Sequence, residues 1–247
     1  MKLRVCSLEE RDDGSLENLT PPQVPAVENK DKSAVKLFVS IEGLEATGKT
    51  TLVRLLAAAC AERGIAYCLK PEFPNGAALG RITDALHHSL FVSDAFSDGA
   101  IPALFYMLYA EAISLSKLDY SADVVLADRY IESQAVYQGY FACVDSSFDV
   151  VTFLDQLETL YKTLSLPLAD LTVVLHAPLA VIRQRLEASM RRSLTTREMG
   201  TLGTFDEYYR QIAGRSDRYV CLSSTLGTGS LVSAVYEILA DRLAARS

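Results

Sequence analysis

A short glycine-containing turn after an apolar run constrains the fold of this chain more than any other feature. Residues 35–57 read VKLFVSIEGLEATGKTTLVRLLA, in which Gly43, Gly48, Lys49 and Thr50 satisfy the pattern G-x-x-x-x-G-K-[ST]. The pattern follows a predicted strand and opens a predicted helix, where backbone N–H groups and a helix N-terminus can face an anionic phosphate. It therefore predicts a P-loop that binds a nucleoside triphosphate.

The P-loop also assigns chemical roles to its side chains. Lys49 would bridge the β and γ phosphates, and the hydroxyl of Thr50 would bind Mg²⁺ as the metal-binding residue. The predicted cofactors are therefore ATP and Mg²⁺. The predicted ATP-binding residues are Gly43, Ala46, Thr47, Gly48, Lys49, Thr50 and Thr51.

The chain beyond residue 34 alternates between short apolar runs and longer helical patterns. A helix is predicted at 49–63, and strands are predicted at 35–42, 65–70, 123–128, 171–177 and 218–224. Strands that are short and rich in Val and Leu, separated by helices, are typical of a parallel sheet covered on both faces. We expect an α/β chain with the three-layer P-loop NTPase fold, a parallel five-stranded sheet flanked by helices, and a short lid.

The composition limits the classes of partner and the cellular compartment that we expect for this protein. The formal net charge of −7 argues against a general affinity for nucleic acid, which needs clustered Lys and Arg. The 5 cysteines are dispersed and odd in number, unlike a disulfide framework, which indicates reduced thiols and a cytoplasmic protein. The sequence contains neither an apolar run long enough to span a membrane nor a secretory signal.

A second motif, ADRYIESQAVYQGY, occupies residues 127–140 directly after a predicted strand. The carboxyl ends of parallel strands border the crevice in which open α/β sheets bind ligands. There Arg129 could brace a phosphoryl group, while Asp128 could orient Mg²⁺, a water molecule or the attacking oxygen. The alternative is that the pair is a local salt bridge at the start of a helix.

The two motifs together resemble the thymidylate kinase family of nucleoside monophosphate kinases. The resemblance rests on the P-loop and on Asp128-Arg129-Tyr130 with Ser133 and Tyr137-Gln138-Gly139, and it extends over roughly residues 35–245, including Arg185 in LADLTVVLHAPLAVIRQRL. In that family ATP donates its γ phosphate to the 5′ phosphate of dTMP, and members commonly form homodimers. The resemblance implies a P-loop nucleotide kinase domain at 34–247 with a lid near 188–203. Residues 1–33 are polar and proline-containing, and are predicted to be a flexible N-terminal extension.

The resemblance also implies which residues carry the reaction. Glu45 falls where the family has an acid that contacts the acceptor sugar, and Phe105 where it has an aromatic residue that stacks on the base. The expected catalytic residues are Lys49, Asp128, Arg129, Arg191 and Arg192. The expected substrate-binding residues are Glu45, Glu72, Phe73, Phe105, Tyr109, Arg129, Ser133, Tyr137 and Gln138.

The source of the catalytic arginine follows from residue 46. Some members of the family carry an arginine directly after the P-loop acid, whereas others supply it from the lid. This chain has Ala46 at that position, so we expect the lid segment SMRRSLTTREMG to provide it. A guanidinium there would stabilise the negative charge on the transferring phosphoryl group.

The sequence departs from the family where the acceptor phosphate should bind. Asn75, Gly76 and Ala77 follow Phe73-Pro74 where eukaryotic members have an arginine, and Tyr109 replaces an arginine on the base-stacking helix. Three alternatives stay open. The first is a dTMP kinase that holds the acceptor phosphate with Arg81, Arg129 or Lys70. The second is a kinase of a nucleoside or another pyrimidine nucleotide, with Glu72 as general base. The third is a nucleotide-binding switch or pseudo-kinase.

Overall fold

The strand that precedes the P-loop lies at the centre of a parallel sheet. The computed structural model describes residues 35–72, 100–142 and 148–246, with the side chains of 100–103 not described. These residues contain five strands, β1 Leu37–Gly43, β2 Tyr67–Lys70, β3 Val124–Asp128, β4 Leu171–His176 and β5 Tyr219–Ser223. All five are parallel and lie in the order β2-β3-β1-β4-β5. The predicted five-stranded parallel sheet is confirmed.

The helices connect these strands as the sequence pattern predicts. The first, α1, covers Lys49–Glu62 and matches the helix predicted at 49–63. The others are α2 Ala100–Ser116, α3 Ile131–Ser133, α4 Tyr140–Ala142, α5 Val150–Thr163, α6 Leu179–Met190, α7 Thr196–Ala213 and α8 Thr228–Ala244, and a π-helical turn, π1, covers Gln134–Gly139 between α3 and α4. The π turn has no signature that sequence periodicity could detect.

Both faces of the sheet are covered, because successive side chains of a strand point to opposite faces. Leu37, Val39 and Ile41 of β1 are fully buried in a cluster that includes side chains from α1 and α8. Phe38 belongs to a second cluster with side chains from α5 and α7. The result is the expected three-layer α/β arrangement.

The strand register brings the two sequence motifs to one edge of the sheet. Ile41 of β1 lies opposite Asp128 of β3, so the P-loop and the Asp128-Arg129 pair both leave the sheet at its carboxyl edge. Gly43 is required at the exit of β1: its φ is +127°, and a Cβ atom there would lie 2.2 Å from the carbonyl oxygen of Leu175.

One predicted segment and two predicted site residues fall outside the described residues. The predicted extension at 1–33 lies outside them, as do Phe73 and Arg81. The described residues all belong to one compact unit, residues 31–247. None of the helices in the described part of the chain is long and apolar enough to cross a membrane.

A layer of hydrogen-bonded polar side chains lies inside one face of the sheet. Ser40 of β1 donates to Thr172 of β4 at 2.9 Å, and the Thr172 hydroxyl donates to Glu132 Oε1 at 3.1 Å. Arg218 also donates to Glu132 Oε1, at 2.8 Å. Buried polar groups are tolerated when they are paired in this way, and here they connect β1, β4 and the residue that precedes β5 to the segment after β3.

Glu42 is a buried carboxyl group on β1, two residues after Ser40. It is fully buried; its Oε1 accepts from the backbone N–H of Tyr130 at 2.6 Å and its Oε2 from the Ser133 hydroxyl at 2.5 Å. Burial, and secondly the nearby carboxylate of Glu132, raise the pKa of Glu42 to about 8. Glu42 therefore ties the start of the segment after β3 to the central strand, mainly in its protonated form at neutral pH.

We predict that Glu42→Gln makes the protein less sensitive to alkaline pH. A carboxyl whose folded pKa lies above its unfolded value contributes stability that is fully present below the unfolded pKa of 4.5 and is lost as pH rises through about 8. A neutral amide has no such loss. Relative to the wild type, the free energy of unfolding of Glu42→Gln should therefore rise by on the order of 2 kcal/mol between about pH 6 and pH 9.

The measurement is urea unfolding across that pH range. Glu62→Gln on the exposed end of α1 is the matched control and should follow the wild type at every pH. If the free energy of unfolding of Glu42→Gln differed from that of the wild type by the same amount at every pH, Glu42 would not titrate in this range.

Candidate active site

The P-loop is held in shape by its own side chains. The Thr47 hydroxyl donates to the carbonyl of Leu44 at 2.8 Å, and Lys49 Nζ donates to the same carbonyl at 2.6 Å. Gly48 adopts φ +94° where α1 begins, and Ala46 adopts φ +58°. The turn thus doubles back over the N-terminus of α1, as a phosphate-binding loop requires.

Lys49 is buried, which changes its protonation. Burial, followed by the positive charge of Arg129, lowers the pKa of Lys49 to about 8, while Glu45, Glu72 and Asp128 oppose the shift. The negative charge of a bound phosphate would therefore stabilise the protonated form of Lys49.

Thr50 and Asp128 provide the oxygen atoms that a magnesium ion would need. The Thr50 hydroxyl donates to Asp128 Oδ2 at 2.6 Å, and Asp128 Oδ1 is buried without a hydrogen-bond partner among the described residues. Mg²⁺ prefers hard oxygen ligands and is commonly held by one or two carboxylates together with substrate phosphates and water. No cluster of three or more His, Cys, Asp or Glu side chains that could hold a metal occurs in the described ranges. These two residues fit the magnesium role predicted for Thr50.

The Arg129 side chain lies buried against the P-loop. Its NH1 group donates to the carbonyl of Gly43 and to the Ser133 hydroxyl, both at 3.1 Å, and to the hydroxyl of Tyr209 at 3.4 Å. Its backbone has φ +65°, a conformation that costs a residue with a side chain of the order of 1–3 kcal/mol. The left-handed turn sends the chain sharply away from β3 while the guanidinium remains beside the P-loop.

Two carboxylates complete the surroundings of Arg129. Its NH2 group lies 3.1 Å from Glu45 Oε1, and its Nε lies 3.0 Å from Glu72 Oε1. Burial raises the pKa of Glu72, although Arg129 and Lys49 oppose the shift. Burial alone would lower the pKa of Arg129, but Tyr137, Glu72 and Glu45 hold it well above its ordinary value. The guanidinium therefore stays charged at the crevice.

Tyr137 links the P-loop acid to the helical segment after β3. Its hydroxyl donates to Glu45 Oε2 at 2.7 Å, the Arg129 guanidinium lies 5.0 Å from its ring centre, and its ring packs at 4.5 Å from that of Phe205 in α7. Gln138, also predicted to bind substrate, is buried in π1. The structure thus brings Glu45, Arg129, Ser133 and Tyr137 into one hydrogen-bonded cluster beside the P-loop.

The predicted base-stacking positions on α2 are not part of this cluster. Phe105 and Tyr109 are 66% and 62% exposed, unlike the buried side chains of Arg129, Ser133 and Tyr137. Their roles remain predictions, and so does that of Phe73, which lies outside the described residues.

Lys70 is in a different place from the one a phosphate ligand would occupy. Its ammonium donates to the backbone carbonyls of Arg129 at 3.1 Å and Pro71 at 3.3 Å, and the side chain is fully buried. The expectation that it could hold the acceptor phosphate is therefore wrong, because the group points into the protein beneath Arg129.

A cavity of about 270 Å³ adjoins the other side of the P-loop. Arg185 of α6 donates to the carbonyl of Ala46 at 3.0 Å and lies within 3.4 Å of both Ser224 oxygens. The remaining lining comes from the start of α1 and from Leu226, Thr228 and Leu231 around the start of α8. Arg185 was singled out by the family resemblance. No signal in the sequence indicated that the residues after β5 would line this cavity.

The predicted lid is a short connection between two helices. Helix α6 ends at Met190 and α7 begins at Thr196, so the range 188–203 is partly helical. Arg192 is held by Glu198 at 2.5 Å, and Glu198 also closes a capping box with Thr195. Arg191, with φ +54°, makes neither a hydrogen bond nor an ion pair with any residue that the structure describes. The two candidate arginines therefore differ in their freedom to approach a ligand.

Neither Glu42 nor Tyr209 was predicted from the sequence as a site residue. Glu42 contacts Ser133 and Tyr209 contacts Arg129, and in both contacts the partners are distant in the chain, so no local motif marks them. The one available signal for Glu42 was a carboxylate inside a largely apolar strand, since such a group is buried only when it is satisfied.

Comparison with known proteins agrees with this geometry. The family model described as Thymidylate kinase matches residues 41–234. The thymidylate kinase of Geobacter sulfurreducens is 28% identical over 85% of this chain and 99% of its own length, and that of Trichlorobacter lovleyi is 27% identical over 84% and 99%. The thymidylate kinase of Geotalea daltonii is 33% identical over 58% of this chain and 64% of its own length.

A solved structure supports the fold. The crystal structure of thymidylate kinase from Ehrlichia chaffeensis superposes with a TM-score of 0.58 at 19% identity, covering 83% of this chain and 98% of that one. At that identity the likeness shows the P-loop α/β fold alone. The family match over most of the chain goes further: this chain belongs to the thymidylate kinase family of ATP-dependent nucleotide kinases.

Proposed function

We propose that this chain transfers the γ-phosphoryl group of Mg²⁺-ATP to dTMP. The observation that carries the proposal is the placement of the P-loop beside the Asp128-Arg129 pair, at the carboxyl ends of adjacent strands, in a chain of this family. A donor phosphate at Lys49 and an acceptor braced by Arg129 would then meet between β1 and β3.

The chain's own residues contribute alignment and charge. Lys49 and the N-terminus of α1 would hold the phosphates of ATP. Arg185 would border the base of ATP in the cavity beside the P-loop. Thr50 and Asp128 would hold Mg²⁺, which neutralises charge on the phosphates when bound. Arg129, already charged and buried, would exchange at least one of its present carboxylate partners for the acceptor phosphate. Phosphoryl transfer needs little more than such positioning and electrostatic stabilisation.

Glu45 and Tyr137 are proposed to contact the acceptor sugar, and Gln138 its base. The Glu45–Tyr137 hydrogen bond of 2.7 Å supports this role, because it fixes both side chains at the crevice beside Arg129. Glu72 pairs with Arg129 at 3.0 Å, which supports a part in placing the guanidinium beside the acceptor.

Assembly and compartment are also proposals. We propose a cytoplasmic homodimer with no nucleic-acid partner. Support comes from the free thiols Cys60, Cys68 and Cys221, from the net charge of −7, and from exposed Tyr67 and Leu69 on β2, which has no strand partner on its outer side in the described sheet.

The substrate test uses ATP with dTMP, and in parallel with thymidine. We expect phosphorus NMR to show dTDP formed from dTMP and no product from thymidine. Lys49→Met should lower turnover by roughly 100-fold or more, because it removes the charge that faces the transferring group while keeping the buried aliphatic stem. Lys36→Met, which removes an exposed lysine paired with Asp123, is the control and should retain full activity.

Two outcomes would contradict the proposal. Product from thymidine but not from dTMP would identify a nucleoside kinase, and absence of product from both would leave a nucleotide-binding protein without this activity. Near-normal turnover by a folded Lys49→Met variant would remove the P-loop lysine from the reaction.

The lowered pKa of Lys49 predicts proton uptake on nucleotide binding. The pKa is about 8, and the phosphates of a bound nucleotide favour the ammonium form and raise it. At about pH 8 each binding event should therefore take up a fraction of a proton, and affinity should fall as pH rises further.

Calorimetry with a non-hydrolysable ATP analogue and Mg²⁺, in two buffers of different ionisation heat, measures that uptake. Lys49→Met is the control, because it preserves any proton exchange by the nucleotide itself and removes that of Lys49. Equal uptake in the wild type and in Lys49→Met would show that another group titrates.

Arg191 is the better candidate for the lid arginine, because Arg192 is already held by Glu198. We predict that Arg191→Met lowers kcat by roughly 1,000-fold, as expected for a guanidinium that stabilises the transferring group, and leaves ATP affinity little changed. Arg192→Met should have a smaller effect.

The matched control for the lid is Arg183→Met, which removes an exposed arginine from α6 paired with Glu187. Steady-state kinetics of the three variants checks the assignment. A larger loss from Arg192→Met would reverse it, and full activity in the double variant of 191 and 192 would exclude the lid from the mechanism.

A further inference from the structure

The last residue of β2 is a buried lysine with an unusual set of partners. Lys70 Nζ lies 3.0 Å from Glu111 Oε1 of α2, and both side chains are almost fully buried. The same ammonium donates to the carbonyl of Arg129 at 3.1 Å and lies 5.4 Å from the ring centre of Tyr130. A buried cation thus rests directly on the backbone of the Asp128-Arg129-Tyr130 motif.

The peptide between Arg129 and Tyr130 is held at both of its polar atoms. Lys70, from one neighbouring strand, donates to its carbonyl oxygen, and Glu42, from the strand on the other side, accepts from its N–H at 2.6 Å. The N–H of Arg129 itself donates to the carbonyl of Ile41 at 3.1 Å. Because β3 lies between β2 and β1, this arrangement forms a clamp across the end of β3, consisting of Lys70, Glu111 and Glu42.

The clamp acts on a backbone that needs support. Arg129 has φ +65°, and a residue with a side chain stays in that region only where its surroundings fix it. Rotation of the peptide out of the left-handed region would carry the guanidinium away from Gly43, Ser133 and Glu45. The orientation of Arg129 therefore depends on the two groups that hold the peptide.

Stability alone does not account for the Lys70–Glu111 pair. Burying an ion pair costs desolvation that its attraction often fails to repay, and apolar residues of similar volume can pack as well. Burial raises the pKa of Glu111, with Lys70 opposing the shift. What an apolar pair could not do is donate a hydrogen bond to the carbonyl of Arg129.

We propose that Lys70 and Glu111 are positioning residues for phosphoryl transfer: Lys70 holds the Arg129 carbonyl so that the guanidinium faces the acceptor phosphate, and Glu111 holds Lys70. The predicted effect on kcat rests on the proposed function. The predicted effect on the position of the Arg129 guanidinium rests on the geometry of the peptide alone. These two consequences are measured separately.

The kinetic test is Lys70→Met, which keeps the aliphatic stem and removes the donor. It should lower kcat for dTMP by roughly 100-fold, as expected when a catalytic group is displaced by about an ångström, with KM for ATP little changed. Lys70→Arg keeps a cationic donor and should recover part of the loss. Leu239→Ala, a core substitution in α8 on the other face of the sheet, controls for lost stability and should retain kcat.

A double-mutant cycle separates positioning from general damage. If Lys70 acts through Arg129, adding Lys70→Met to Arg129→Lys should lower kcat far less than Lys70→Met alone. Losses that multiply fully in the double variant would overturn the proposal, because Lys70 would then act independently of Arg129.

The structural test needs no substrate, so it stands even if dTMP is not the acceptor. The Nε–H resonance of Arg129, identified by its loss in Arg129→Lys, should shift and exchange faster with solvent in Lys70→Met. Glu111→Gln, which keeps the lysine, should shift the Arg129 Nε–H resonance in the same direction by a smaller amount. This variant replaces Lys70→Met in the test if Lys70→Met does not fold. An unchanged resonance in either folded variant would overturn the proposal, as would an equal change in Leu239→Ala.

Discussion

The left-handed backbone turn at Arg129 is the constraint on which the active site depends. It lets β3 end at Asp128, beside the Thr50 hydroxyl, while the next side chain remains against the P-loop. Two buried side chains, Lys70 and Glu42, hydrogen-bond the following peptide, so the strain is offset by contacts with both neighbouring strands. A crevice in which donor and acceptor phosphates can meet follows from this geometry, because both motifs are anchored to the same rigid sheet.

The parts of this arrangement that local sequence encodes were predictable. The P-loop, its preceding strand and α1 are contiguous, and the apolar runs of the other strands are short and rich in Val and Leu. Asp128 and Arg129 could be placed at the crevice because they directly follow such a run. The match of the family model over residues 41–234 agrees with the resemblance drawn from these same motifs.

The remainder depends on which distant segments become neighbours. Glu42 and Tyr130 are 88 positions apart, and Tyr209 is 80 positions from Arg129, so only the strand order and register bring them together. Lys70 shows the same limit in another form. From the sequence it could be a phosphate ligand, whereas the fold turns it inward beneath the Arg129 backbone and pairs it with Glu111.

A crystal structure of the protein with Mg²⁺-ADP and dTMP bound would show whether the turn at Arg129 presents the guanidinium to the acceptor. We expect Arg129 to keep its positive φ and its backbone contacts with Lys70 and Glu42, while its guanidinium leaves at least one of Glu45 and Glu72 to bind the acceptor phosphate. A complex in which the guanidinium remained paired with both carboxylates and touched neither nucleotide would exclude Arg129 from binding the acceptor.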